Sequence, residues 1–265
     1  MGTKPRLEDL RRIDAALEAA RELLRGFAHQ TPEKEWKGNG EPVTAADRAV
    51  NDLLFRMLPQ GGEGWLSEES RDDLGRIRKS RVWIVDPLDG TKEFIAGIPE
   101  WCVSIALIED GEAVAGGISN PTTGETFLGA RETGMVACPA RASQAAREGK
   151  RPIVLASRSE TVRGEWDWLK DAPFEIRPLG SVAYKLALVA AGQADATWTL
   201  SPKHEWDVAA GVALLLASRG TVRKPGAEPV VFNQPETLWN GLIAFAGRAG
   251  SGTVRAFEDW LSRRS

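Results

Sequence analysis

The chain has 265 residues and a formal net charge of -3, with 42% hydrophobic and 27% charged residues, the mix of a globular fold with an ample core. That charge provides no basic footprint for a nucleic-acid polymer, and no run of about 18 apolar residues offers a membrane span. Cys102 and Cys138 are too few for a disulfide framework or a zinc site.

At the amino end no apolar signal-peptide stretch is found, and Arg6 breaks the lipidation pattern that Met1-Gly2 begins, so a cytoplasmic location is expected. Leu7, Leu10, Ile13, Leu17, Leu24 and Phe27 recur at helical spacing and predict a helix over 7–28. The Gly- and Pro-containing stretch 29–42 predicts a mobile loop or short hairpin. Thr44 with Asp47 three residues on reads as the capped start of a second helix, which carries Val50, Leu53, Leu54 and Met57 and stops near Pro59. Short apolar runs at 82–85, 103–108, 113–118 and 126–128 predict strands, with Asp110-Gly111 as a hairpin turn. An Ala-, Arg- and Lys-rich segment at 139–151 marks the expected seam between an α+β unit (1–140) and an α/β unit (141–265). Beyond it the pattern alternates: strands at 152–156, 174–178, 195–199 and near 239–245, and helices at 161–170, 181–192, 206–218 and 250–263. Layered α and β structure is the architecture this order predicts. Ten tryptophans against one tyrosine read as packing residues of the core and surface grooves.

Three acidic motifs carry the chemistry: 65-WLSEES-70, 83-WIVDPLDGTKEF-94 and 204-HEWDVAAG-211. Taken singly they are ordinary. Asp-Pro and Asp-Gly are turn signals, Glu68-Glu69 is a solvated pair, and Asp207 is a helix N-cap. Together they place acids at the ends of apolar elements. Trp83–Val85 reads as a buried strand that delivers Asp86 and Asp89, with Pro87 turning the chain just beyond the sheet. These two carboxylates and the Leu88 carbonyl are oxygen donors suited to Mg²⁺, and the amides of Gly90 and Thr91 can meet an anion if a helix starts there. Two other chemistries fail on spacing. Aspartyl-phosphate enzymes separate their Asp pair by one residue, whereas two intervene here, and a helix-loop-helix calcium loop would need donors where Val85 and Pro87 stand. Two carboxylates about 4 Å apart repel by roughly 1 kcal/mol in water and about 4 kcal/mol at an effective dielectric of about 20, so converging acids call for cations.

In this order the motifs resemble those of the inositol monophosphatase superfamily, over nearly the whole chain from Thr44 to the last helix. The resemblance implies an αβαβα sandwich, lithium sensitivity and dimerisation. It implies two or three Mg²⁺ held by Glu68, Asp86, the Leu88 carbonyl, Asp89 and Asp207, with Asp47 and Thr91 activating the attacking water. The stretch 154-VLASRSE-160, the form DPLDGTKEF and Lys185 are similar to the 3'(2'),5'-bisphosphate nucleotidase branch, which implies adenosine 3',5'-bisphosphate as substrate. Arg158 and Lys185 would meet its second phosphate, Gly180 and Ser181 would line the substrate, and Glu205 would border its organic part. His204 and His29 are expected at the surface. Two alternatives stay open: hydrolysis of an inositol or sugar monophosphate, and a non-catalytic metal- and phosphate-binding scaffold. The intact Asp47–Thr91 pair argues against the scaffold.

Overall fold

The computed structural model describes residues 4–27, 34–36, 42–139, 151–199, 201–224, 228–247 and 254. Helix α1 (Lys4–Arg25) starts and ends three residues before the predicted bounds. Strands β1 (Lys34–Trp36) and β2 (Pro42–Thr44) pair antiparallel, which resolves the loop-or-hairpin alternative toward a hairpin for the described part. Helix α2 (Ala45–Met57) begins at the predicted cap: Thr44 Oγ1 accepts the Ala46 amide, and Asp47 Oδ2 accepts the Thr44 amide at 2.8 Å.

A six-stranded sheet follows, made of β3 (Gly64–Ser67), β4 (Arg81–Asp89), β5 (Cys102–Glu109), β6 (Glu112–Asn120), β7 (Glu125–Ala130) and β8 (Gly134–Ala137), in that spatial order. Strands β5 and β6 are joined at Asp110 and Gly111, both with positive φ (47° and 83°), as a two-residue hairpin turn requires. Chain order here is spatial order, so every pairing except parallel β3–β4 is antiparallel. The sequence pattern missed β3 and β8, which are four-residue strands that each contain glycine. Strand β4 also corrects an expectation. It does not end at Val85 but runs through Pro87 with a bulge, because Asp86 faces Ser104 while Asp89 faces Cys102. Pro87 has no amide to lose there.

The second sheet has the order β10-β9-β11-β15-β13, with β9 (Ile153–Ser157), β10 (Glu175–Leu179) and β11 (Ala196–Thr199) parallel, and β13 (Thr221–Arg223) and β15 (Leu242–Phe245) antiparallel additions. The helix predicted at 161–170 is instead a short α4 (Arg158–Val162) and a 3-10 turn at Asp167–Leu169, separated at Gly164. The strand predicted near 239–245 is split at Asn240-Gly241. Its first piece, β14 (Leu238–Trp239), leaves to pair with β12 (Lys203–His204). Helices α5 (Val182–Ala190) and α6 (Glu205–Ala217) complete the unit. The predicted seam, apart from Pro139 and Arg151, and the predicted final helix, apart from Val254, lie outside the described residues.

Period-two alternation sorts the sheet residues into layers. Trp83, Val85, Val103, Ile105 and Leu107 face α1 and α2, against Ile13, Leu17, Val50 and Leu54. Val82, Ile84, Ala106 and Ile108 face the opposite way, onto α5 and α6, whose far side meets Ile153, Leu155, Leu242 and Ala244 of the second sheet. Val154, Ala156, Trp198 and Phe245 cover the outer face with Trp166, Leu169 and Phe174. This is the αβαβα sandwich. All nine residues of α5 are buried because sheets flank it on both sides, which is why its sequence shows no polar face. Each Leu or Ile so buried contributes about 2 kcal/mol.

The start of β4 is held by ions. Arg81 Nη2 meets Asp9 Oδ1 at 2.6 Å, its Nε meets Glu63 Oε1 at 3.0 Å, and its Nη1 reaches Glu109. Arg12 and the Trp83 indole also donate to Glu63, at 2.6 and 2.8 Å. The network ties α1 to the beginning of β4, and the acidic motif lies at its end.

Candidate active site

Parallel pairing of β3 with β4 brings their carboxyl ends to one side of the sheet. Ser67 is opposite Val85, and the Glu68 amide donates to the Val85 carbonyl at 3.4 Å. Glu68 therefore arrives beside Asp86. The bulge turns Asp86 and Asp89 toward the start of α6, which supplies Asp207. Asp86, Asp89 and Asp207 each offer an oxygen within 4.8 Å of the other two, and Glu68 shares their cavity of roughly 620 Å³. Asp207 is not the N-cap. His204 holds that place, and Asp207, at the third helical position, accepts the His204 amide at 2.8 Å. Asp47 holds the same third position in α2. Two helix starts thus fix a carboxylate each by the same local rule.

The electrostatics of the triad are those of like charges withdrawn from water. Burial pushes the Asp86 carboxyl well above its ordinary value, and the charges of Glu68, Asp89 and Asp207 push it further. Asp207 is raised well above its ordinary value by burial and then by Asp89 and Glu68. Asp89 is raised by burial, against the pull of bonds from Ser181 and the Ala183 amide and of the charge on Lys185. An all-oxygen, like-charged set of this kind fits a hard divalent cation, which removes the repulsion and takes carboxylate ligands.

Thr91 opens the short helix α3 (Thr91–Ile95). Its hydroxyl lies 3.0 Å from Asp47 Oδ1 and 3.2 Å from the Leu88 carbonyl. Asp47 is buried, and its other oxygen accepts the Thr44 amide and hydroxyl, at 2.8 and 2.5 Å. Gly90, with φ 101°, stands where the chain passes Glu100 and Trp101. A Cβ there would lie 3.0 Å from the Glu100 carbonyl oxygen. The first amides of α3 have no intrahelical acceptor and can meet an anion in the cavity.

Among the residues expected near the substrate, Arg158, Gly180, Ser181 and Lys185 all line the cavity. Arg158 is held by Glu100, with Nε 2.9 Å from Oε2, and the Gly180 amide donates to the same carboxylate at 2.7 Å. Lys185 is neither exposed nor solvated. Its residue is 1% accessible, and its ammonium donates to the carbonyls of Ser181 and Leu179 at 2.9 and 3.3 Å. Glu205 is a correction. It is fully buried, does not line the cavity, and accepts the amides of Asn233 and Gln234 at 2.7 and 3.0 Å. Asp207 follows two residues later, about 200° round the helix, so the two side chains face different ways. Glu205 holds the loop at Asn233 and Gln234 and stands behind the cavity wall. His204 also departs from expectation: it lines the cavity, stacked on Trp206 with ring centroids 4.3 Å apart. His29 lies outside the described residues.

The sequence reading passed over Glu93, Glu100, Glu160 and Lys203, all but Glu100 on the cavity wall. Glu160 was findable, since Ser157 and Glu160 have the spacing of a helix start, and Ser157 Oγ does accept the Glu160 amide. Its carboxylate accepts the Ser201 hydroxyl at 2.9 Å and the Trp166 indole at 2.9 Å, anchoring the approach to β12.

Residues 7–258 match the sequence model of the inositol monophosphatase family. An inositol-1-monophosphatase of Mesorhizobium japonicum is 37% identical over 243 residues, spanning 87% of this chain and 91% of that protein. The 3'(2'),5'-bisphosphate nucleotidase CysQ of Escherichia coli is 31% identical over 209 residues, spanning 77% and 85%. The crystal structure of CysQ from Bacteroides thetaiotaomicron superposes with a TM-score of 0.74 at 30% identity, covering 91% of this chain and 98% of that one.

Proposed function

The chain belongs to the inositol monophosphatase family of phosphoric monoester hydrolases, and we propose that it converts adenosine 3',5'-bisphosphate to AMP and phosphate with Mg²⁺ held by Glu68, Asp86, Asp89, Asp207 and the Leu88 carbonyl. The observation that carries the metal site is the convergence of three carboxylates within 4.8 Å at the ends of β4 and the start of α6. Bound divalent cations supply Lewis-acid stabilisation of the charge that gathers on the phosphoryl and leaving oxygens.

The chain's own residues position the water and take its proton. Thr91 Oγ1 donates to Asp47 Oδ1 and keeps a lone pair for the attacking water. As the water attacks phosphorus and the ester phosphorus–oxygen bond breaks, the water's proton goes to Thr91 Oγ1 and the threonine proton to Asp47 Oδ1, while the departing alkoxide takes a proton from solvent to leave as the alcohol. The Thr44 bonds hold Asp47 in place for this step. The amides at Gly90 and Thr91 orient the phosphate oxygens, which serves a transition state that demands placement more than covalent chemistry.

Support for a substrate with two phosphates comes from Lys92 and Lys203 on the cavity wall, with Arg158 and Arg163 beside them in ion pairs to Glu100 and Glu165 that an incoming phosphate would share. The second reading, hydrolysis of an inositol monophosphate, is favoured by the name of the 37%-identical relative. Lithium inhibition and a homodimer accompany either reading, as the family resemblance implies. Phosphate release with Mg²⁺ from adenosine 3',5'-bisphosphate, inositol phosphate, fructose bisphosphate and histidinol phosphate separates them. Highest kcat/KM on the adenosine compound is expected. Preference for inositol phosphate selects the second reading, and no release from any of the four favours the binding scaffold. No helix among the described residues is long and apolar enough to cross a membrane.

A further inference from the structure

Asp89 is held from one side. Its Oδ2 accepts the Ser181 hydroxyl at 2.7 Å and the Ala183 amide at 2.6 Å, both at the start of α5. Oδ1 accepts no hydrogen bond among the described residues, and Asp89 lines the cavity.

Ser181 makes this contact from a conformation that side chains avoid. Its φ is 53° and its ψ 125°, and glycine is the residue that reaches positive φ without a Cβ clash. Several bonds keep the turn in that shape. Lys185 Nζ donates to the Ser181 carbonyl at 2.9 Å, the Tyr184 amide donates to Ser181 Oγ at 3.0 Å, and Glu100 takes the neighbouring Gly180 amide. The lysine is fully buried, a costly place for an ammonium, and here it serves backbone carbonyls. What serine adds over glycine at this position is the hydroxyl, and its hydrogen goes to Asp89.

We propose that Ser181 is a positioning residue of the metal site, acting through Asp89: its hydroxyl fixes the carboxylate so that Oδ1 is presented to the cation, and Lys185 keeps the turn that makes this contact. The proposal rests on reading the carboxylates as a divalent-cation site, and it moves Ser181 from the substrate to the metal.

Ser181→Gly and Ser181→Ala in the full chain test it, with Mn²⁺ binding followed by titration calorimetry or electron paramagnetic resonance and with melting of the chelated protein. Ser181→Gly relieves the positive φ and gives up the cap bond to the Tyr184 amide, two small opposing effects, so its chelated form should melt within a few degrees of the parent, while Mn²⁺ affinity falls about 10- to 100-fold, the usual cost of losing a bond to a metal ligand. At saturating Mn²⁺ the KM for substrate should be unchanged in both variants. Unchanged Mn²⁺ affinity in both variants overturns the proposal, as does a raised KM at saturating metal, which would mark Ser181 as a substrate contact. A parent protein that fails to bind Mn²⁺ is a different failure, because it removes the metal-site reading itself.

Discussion

Replacing Asp86 with asparagine should stabilise the metal-free protein and abolish its response to metal. Oxygens of Asp86, Asp89 and Asp207 lie within 4.8 Å of one another, and at that separation each ionised pair repels by about 3.5 kcal/mol at an effective dielectric of about 20. Asparagine at position 86 removes two of the three pairs and keeps the oxygen that accepts the Leu88 amide. Protonation already relieves part of the repulsion in the parent, and Asp207 is only half-buried, so the net gain is about 2–3 kcal/mol, or roughly 5–10 °C in Tm. The pH dependence follows in sign. Burial and neighbouring charge raise the folded pKa of Asp86 above 3.8, so the folded state holds the proton more tightly than the unfolded one. Metal-free stability therefore falls as pH rises from 3.8 toward the folded value, and the asparagine variant should fall less. Calorimetry of chelated proteins from pH 5 to 8, repeated with millimolar Mg²⁺, provides the assay. Mg²⁺ should raise Tm in the parent and leave the variant unmoved. A chelated variant that melts below the parent would refute the charge reasoning, and a parent indifferent to Mg²⁺ would refute the metal site.

Thr91→Ala should lower kcat by about 100-fold or more with little change in KM, because it breaks the proton path to Asp47 without removing a metal ligand; steady-state kinetics at saturating Mg²⁺ checks this. Gly211→Ala should cost about 1–3 kcal/mol, or roughly 3–10 °C in Tm, since a Cβ there would come 2.4 Å from Leu186 Cβ where α6 crosses α5. Glu63→Gln should flatten the acid limb of stability. Burial raises the Glu63 pKa, but bonds from Arg12, Trp83, Arg81 and the Gln60 amide prevail and bring it down to about 2, so its contribution is full above 4.5 and lost as pH falls toward 2. Urea melts between pH 7 and 2 should show the parent losing that increment and the variant lacking it throughout.

The sequence by itself determined what depends on neighbours a few residues apart. The Thr44–Asp47 capping box, the Asp110-Gly111 turn, and the buried strand at 82–85 are local, and each was legible. So was the presence of acids beside the apolar runs of β4 and α6, although β4 continues past its apolar run and Asp207 lies in the first turn of α6. Only the tertiary structure decided which of these ends meet. Parallel pairing of β3 with β4 brings Glu68 to Asp86, and no local signal announced β3. The same holds for Glu205, read as bordering a substrate and found buried on backbone amides, and for Lys185, which lines the cavity but gives its ammonium to backbone carbonyls. A charged residue next to a motif has the same local pattern whether its side chain points into the cavity or behind it. What separates the two is the helix rotation and the loop packed across it, both of which come from residues distant in the chain.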